Sequence, residues 1–364
     1  MSKKILVTGG GGFIGSHLAR YLYQQGNYVR IADIKFDNYI EERRYNEKLM
    51  LDLREKKNCL VATRGMDEVY NFAANMGGIG YITKVGADVM RDNVLINTNM
   101  LEVARENSVK KYLFSSSACV YPNYKQTVSD ASPLKESDAI PADPNEYYGW
   151  EKLFTEMMME AYKRDYGLNV RIARFHNVYG PEGTYEGGKE KAPAALCRKV
   201  AMAEDGGSII IWGDGRQTRS FLYIDDCVRA LVLLMQSSFD SPINIGNSRL
   251  VTIDELAQII IEISGKHLTI EHDLTKPQGV RGRNADLTLV KKVLGWEPRI
   301  SLEEGLTRTY KWIEMQCPHT NWDSGHSSGF NHLYGCREVW ANLKLALLVA
   351  VSSLRNAIFQ VFLD

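Results

Sequence analysis

Short apolar runs alternating with longer amphipathic stretches set the rhythm of the first half of the chain. Ile5 to Val7 is a run of strand length that ends in glycines, and Phe13-Ile14-Gly15-Ser16-His17-Leu18 opens a helix behind it. Tyr28 to Ile34 reads as a second strand, with Asp33 near its end. Val69 to Ala73, Lys111 to Ser115 and Val170 to Arg174 are further runs of buried-strand length. Helical stretches lie between them, notably Asn97 to Asn107 and Tyr147 to about Asp165. Strand–helix alternation predicts parallel pairing, because joining parallel strands needs a crossover that a helix supplies. The expected fold class is α/β, with a doubly wound parallel sheet.

Beyond Gly180 the pattern changes to short elements in Pro- and Gly-containing loops: Ile209 to Trp212, a helix from Asp226 to Gln236, and Ile243 to Ile245. Thr252 with Glu255 predicts a capping box for a helix that stops at Gly265. Ser301 with Glu304 opens another that runs to about Gln316. The expected organisation is a cofactor domain over 1–180 and a smaller α/β substrate-binding domain over 181–316, with some crossing of the chain between them. A tail of unassigned role covers 317–364. In the tail, Cys317, His319, His326, His332 and Cys336 match no standard zinc spacing, so no metal is expected. Leu345 to Val351 is apolar but far short of the ~20 residues of a membrane span. It reads as a packed or oligomer-forming helix.

Charge narrows the partners. The 364 residues carry 44 Lys plus Arg against 44 Asp plus Glu, which points to neither nucleic acid nor an acidic membrane surface. Six cysteines are scattered too widely for a disulfide framework. MSKKILVTGG at the N-terminus reads as a first strand rather than a signal peptide, so a cytoplasmic location is expected.

Gly9, Gly12 and Gly15 follow the first strand at the mouth of a helix. Glycines there permit a tight turn, let backbone approach a pyrophosphate and let helix pack on sheet, while the helix N-terminus offers N–H groups to phosphate. Asp33 stands about 20 residues on, where a carboxylate bonds an adenosine ribose and repels a 2′-phosphate. NAD is therefore expected over NADP, on a Rossmann-type scaffold. The expected cofactor contacts are Gly9, Gly12, Phe13, Ile14, Gly15, Asp33 and Asp52, with Tyr148 and Lys152.

Tyr148 and Lys152 are four apart in NEYYGWEK, so both project from one helix face. A phenol beside an ammonium and a nicotinamide cation is expected to ionise more easily and to take a proton from a sugar hydroxyl as hydride leaves. Ser115-Ser116-Ser117 at a strand end can reach the same oxygen. His17 and His176 are expected to pack or to lie on the phosphate side. Phe114, Tyr121 and Tyr124 are expected in the core and pocket wall.

The glycine pattern with Tyr148-x-x-x-Lys152 resembles the extended short-chain dehydrogenase/reductase family. That resemblance implies a Rossmann domain joined to a nucleotide-sugar domain, Ser117 on the reacting hydroxyl, and Asn177 and Arg219 on a nucleotide diphosphate. Further blocks, among them NMGGIGY (75–81), SSSACVYP (115–122), GGKEKAPAALCRK (187–199) and GVRGRN (279–284), resemble a branch of the family that epimerises GDP-mannose. They imply GDP-D-mannose converted to GDP-L-galactose, with GDP-L-gulose as the C5-only product. Cys119 and Lys191 become the acid–base pair at C5 and C3. Gly77, Lys199 and Arg281 join the substrate contacts, Arg283 is a further candidate for the diphosphate or second ribose, and a homodimer is the family expectation. From the residues alone, Cys119 reads sooner as a small buried residue than as a base, and Lys191 as a solvated lysine beside Lys189.

The chemistry gives both a purpose. No side chain is basic enough to invert an unactivated carbon. Oxidation at C4 makes the hydrogens at C3 and C5 acidic, so two proton-transfer groups can then invert each centre. Rival readings are a UDP-hexose 4-epimerase, which needs no carbon base, and a non-catalytic NAD-binding scaffold. A 4,6-dehydratase usually carries Asp-Glu where this chain has Ala118-Cys119.

Overall fold

The computed structural model describes residues 2–36 and 45–317. Strand and helix alternate first through β1 (Lys4–Thr8), α1 (Phe13–Gln24), β2 (Tyr28–Asp33), β3 (Glu47–Met50), α2 (Lys56–Thr63) and β4 (Glu68–Asn71). A short α3 (Ile79–Ile82), then α4 (Gly86–Glu106), β5 (Lys111–Ser117), α5 (Glu146–Tyr166) and β6 (Val170–Phe175) follow. After them come β7 (Val178–Tyr179), α6 (Ala192–Met202), β8 (Ser208–Trp212), β9 (Thr218–Arg219), β10 (Leu222–Tyr223) and α7 (Ile224–Gln236). The last elements are β11 (Pro242–Ile245), β12 (Val251–Thr252), α8 (Ile253–Ser264), β13 (Thr269–Asp273), β14 (Gly282–Arg283), α9 (Thr288–Leu294) and α10 (Leu302–Gln316).

Seven strands form one sheet in the order β11-β6-β5-β4-β1-β2-β3, every neighbouring pair parallel. The order reverses between β1 and β4, and that switch point opens a crevice at the carboxyl ends of the strands. Both faces are covered, so β1 is apolar without alternation. Its Ile5 and Val7 pack with Leu18 and Leu22 of α1, while Leu6 faces Met100 and Leu101 of α4. Each such fully buried side chain contributes about 1.5–3 kcal/mol. The seventh strand, β11, comes from far beyond residue 180 and registers Ile243 against Ala173 of β6.

The capping box of α8 is present in both directions, with Thr252 Oγ1 accepting from Glu255 N–H at 3.0 Å and Glu255 accepting from Thr252 N–H at 2.7 Å. Gly265 ends that helix in the left-handed conformation. Ser301 caps α10 by accepting from Glu304 N–H. Helix α4 begins at Gly86, well before Asn97. Its first turns bury Asp92 and Asn93 among the apolar positions, and those polar side chains disguise the inward face. Strand β3 and helix α2 escape the apolar pattern too, β3 because it is an edge strand with alternating exposure.

Among the described residues no helix is long and apolar enough to cross a membrane, and no group of His, Cys, Asp and Glu could hold a metal. Cys59, Cys119, Cys197, Cys227 and Cys317 are free thiols. The tail histidines, Cys336 and the apolar stretch at 345–351 lie outside the described residues.

Candidate active site

The turn after β1 has the shape of a phosphate cradle. Gly9 takes φ +64°, and a Cβ there would meet Phe72 backbone at 2.7 Å. A Cβ on Gly15 would strike the Gly9 carbonyl at 2.2 Å, so α1 can sit on the turn only with glycine at that position. Gly12 is the N-cap of α1 and brings no side chain to the first-turn N–H groups, the kind of helix start that suits an anion. Asp33, at the end of β2, accepts from Gly11 N–H at 2.9 Å. Burial pushes its carboxyl up, against the backbone N–H groups that favour the anion. Asp52 follows β3 on the same edge of the sheet and pairs with Arg54 at 2.7 Å, which holds its carboxyl below the usual range. A dinucleotide fits this edge: a glycine cradle, open helix N–H groups and an acid at the next strand end.

The second half of the site grows from the end of β5. Ser117 closes the strand and caps a 3₁₀ turn, Ala118–Val120, by accepting from Cys119 N–H at 3.1 Å. That bond sets the thiol two residues past the strand. Helix α5 brings Tyr148 against it, 8% exposed and packed in one apolar cluster with Cys119 and Met76. The expected easier ionisation of Tyr148 is not what the protein's own groups provide. Burial pushes the phenol well above its ordinary value, then Glu151 and Cys119 add to that, and only a hydrogen bond with Ser117 opposes them. Lys152 is 1% exposed, its ammonium 5.4 Å from the Tyr148 ring centre and 4.7 Å from that of Phe114. Burial pulls its pKa down, and Glu151 resists.

Two glycine-rich loops dock on each other to bring in Lys191. Gly78 N–H donates to Lys189 O at 3.1 Å, and a Cβ on Gly78 would stand 2.6 Å from Glu190 O. The ambiguity between the two lysines resolves through an aromatic ring. Lys189 lies 4.0 Å over Tyr81, whereas Lys191 is the N-cap of α6 and interacts electrostatically with Cys119. Burial lowers the Lys191 ammonium, and Cys119, then Cys227, work against that shift. Gly77 makes its close approach to the Tyr81 side chain, at 2.9 Å for a notional Cβ.

Arginines close the far side. Arg283 donates to Cys119 Sγ at 3.5 Å and to Gln126 Oε1 at 2.5 Å, and one of its terminal nitrogens is buried without a partner. Arg219 donates to the carbonyls of Thr218 and Gln278. Burial and then Arg283 push its pKa down to about 9. Among the described residues neither arginine has a carboxylate partner, so the pair offers an anion two uncompensated guanidiniums. Arg281 differs: it is half-exposed and paired with Asp214 at 2.7 Å. Asn177 donates to Ser220 O at 3.0 Å, and Lys199 caps the Ile210 carbonyl of β8.

His176 is fully buried against Asn244, and burial takes its pKa down to about 3. His17 meets Pro181 O at 3.1 Å. Phe114 and Tyr121 are core, but Tyr124 is half-exposed and bonds Pro141 O, outside the wall expected for it.

Gly149, between Tyr148 and Trp150, is a requirement that pattern reading misses. A Cβ there would lie 2.2 Å from Cys119 O, so glycine alone lets α5 touch the turn that carries the thiol. Gly149→Ala is expected to cost about 1–3 kcal/mol in thermal or denaturant unfolding. It should also lower activity by parting Tyr148 from Cys119.

The model of the NAD dependent epimerase/dehydratase family matches residues 5–246. GDP-mannose 3,5-epimerase 1 of Oryza sativa subsp. japonica is 48% identical, over 86% of this chain and 82% of that protein. GDP-mannose 3,5-epimerase of Arabidopsis thaliana is 47% identical over the same shares. Among solved structures, UDP-glucose 4-epimerase of Thermotoga maritima with UDP-glucose is 30% identical with a TM-score of 0.77, covering 86% of this chain and 99% of that one.

Proposed function

Because the chain belongs to the NAD dependent epimerase/dehydratase family, we propose that it epimerises GDP-D-mannose at C3 and C5 to GDP-L-galactose, with GDP-L-gulose as the C5-only product. The observation that carries this reading is the convergence of Cys119 and Lys191 beside the Tyr148–Ser117 pair, which adds carbon acid–base groups to a site for oxidising an alcohol. NAD, when bound, supplies the reversible hydride acceptor that makes C4 a ketone. Tyr148, ionised with the Lys152 ammonium opposing the phenolate charge, takes the C4 hydroxyl proton and becomes a neutral phenol, while Ser117 bonds the same oxygen. With C4 a ketone, the C3 and C5 hydrogens become acidic, and of Cys119 and Lys191 one removes the proton while the other delivers one to the opposite face. Arg219 and Arg283 offer the diphosphate a clamp that one carboxylate-paired arginine would not. Residues 181–316 supply Lys191 and both arginines, which supports their reading as the nucleotide-sugar part.

The test is incubation of the purified protein with GDP-mannose in D₂O, following the hexose by proton NMR. Loss of the H3 and H5 signals with a galacto-configured product is expected. Conversion of a UDP-hexose at C4 without deuterium uptake, and no action on GDP-mannose, would overturn it.

The free thiols suit a reducing compartment such as the cytoplasm. An apolar stripe of Trp150, Phe154 and Met157 on α5, beside Met90 of α4, stands 37–62% exposed and supports a homodimer formed through these helices. Trp150→Glu with Phe154→Glu is expected to halve the mass in analytical ultracentrifugation. A wild-type monomer would remove the dimer.

A further inference from the structure

Lys152 shares its burial with a carboxylate that the chemistry above does not use. Glu151, 0% exposed, lies 3.7 Å from Lys152 Nζ through Oε1. It precedes Lys152 in the chain and so projects toward a different side of α5, facing α4. There it is met by two amides one helical turn apart: Asn93 Nδ2 donates to Oε1 at 2.9 Å and Asn97 Nδ2 to Oε2 at 3.3 Å. Both amides are themselves anchored. Asn93 Oδ1 accepts from Asn75 N–H at 2.6 Å, on the loop that leads to Gly77. Asn97 Oδ1 accepts from Asn71 Nδ2 at 3.1 Å, and Asn71 in turn accepts from Thr8 at the end of β1. The buried chain thus runs from the strand behind the glycine cradle, through Asn71, Asn97 and Glu151, to Lys152.

A buried carboxylate is retained only when its partners compensate for lost water. Here the compensation comes from two neutral donors and one ammonium. Removing the carboxylate would leave that ammonium enclosed by Phe114, Tyr148 and Cys119, which solvate it poorly.

We propose that Glu151 is a positioning residue: clamped by Asn93 and Asn97, it acts through Lys152, holding that ammonium charged and in place beside Tyr148. The inference rests on the reading of Tyr148 and Lys152 given above. Burial drives Lys152 toward losing its proton and Glu151 toward keeping one, and each counteracts the other. The other ionisable groups acting on Lys152 are Tyr148 and Glu156 of α5 and Cys119 of the 3₁₀ turn. Strand β5 presents the Phe114 ring, and α4 presents amides.

The test is an NMR titration of Nζ in ¹⁵N-lysine-labelled holoenzyme, with Lys152 assigned by its loss in Lys152→Met. In Glu151→Gln the Lys152 midpoint is expected about 1–3 pH units below wild type, as loss of an opposite charge within ~4–6 Å dictates. The alkaline limb of the exchange rate should move down with it. Glu151→Asp, which keeps the charge, is expected to restore the midpoint, with kcat lowered and KM unchanged. An unmoved midpoint in folded Glu151→Gln overturns the proposal. Should Glu151→Gln not fold, ¹³C-carboxyl NMR of wild type decides: an ionised Glu151 at neutral pH supports it, and a protonated one overturns it. None of these titrations needs GDP-mannose, so a wrong substrate would leave the result standing.

Discussion

Tyr148→Phe is expected to remove epimerisation while leaving the fold and the bound dinucleotide intact. Phe fills the same volume in a site where Tyr148 is 8% exposed, so packing against Val89 and Cys119 is kept. Only the hydroxyl, with its link to Ser117, is lost. A positioned acid–base group contributes about 10²–10⁴ in rate, or roughly 3–5 kcal/mol of barrier. The upper part of that range is expected, because every later step depends on a ketone at C4. Exchange at C3 and at C5 should therefore disappear together. Quenching with borodeuteride should leave no label at C4 of the hexose. The glycine cradle and Asp33 lie on the other side of the switch point, so NAD content after purification should match wild type. Exchange that survived in Tyr148→Phe would mean that another group governs oxidation at C4.

The pairings behind that prediction differ in how far they are local. Gly9, Gly12, Gly15 and Asp33 were readable because a strand, a turn and a helix place them within one supersecondary unit. Tyr148 and Lys152 were readable because a spacing of four is a single helix face. Cys119 was half readable: its distance from Ser117 is local, but its contact with Arg283 spans 164 positions. The different partners of Arg283 and Arg281 could not be seen in GVRGRN. Asp214 engages the Arg281 guanidinium, while Gln126 and the Cys119 thiol take that of Arg283. Lys189 and Lys191 are likewise separated by the Tyr81 ring, which belongs to a distant loop. The buried amides of α4 were hidden for a different reason. Asn93 and Asn97 mimic a solvated face in a hydrophobicity pattern, although both are less than 2% exposed. Hydrogen bonding, which periodicity does not register, makes that burial tolerable.

Cys119→Ala divides the proposed reaction at the step that distinguishes it from simple inversion at C4. The thiol sits on a turn fixed by backbone, with Ser117 accepting from its N–H and Asn145 N–H donating to its carbonyl at 3.1 Å. Alanine leaves both bonds in place and removes only sulfur. Tyr148, Ser117 and Lys152 keep their positions, so borodeuteride should still label C4, which shows that the ketone forms. Deuterium entry at C5 should fall by about 10²–10⁴-fold, since alanine offers no group that could move a proton there. Lys191 remains but serves only one face of each centre, so inversion at C3 and C5 should be lost even where some exchange persists. A UDP-hexose 4-epimerase would behave otherwise. It inverts C4 through the same Tyr148 and Lys152 and has no carbon base to lose, so its turnover would survive Cys119→Ala. Undiminished exchange at both carbons would take Cys119 out of the chemistry and leave it as packing beneath Arg283. Loss of exchange together with loss of the C4 label would instead make the thiol part of substrate binding. Only a retained C4 label with exchange lost assigns the proton at carbon to Cys119.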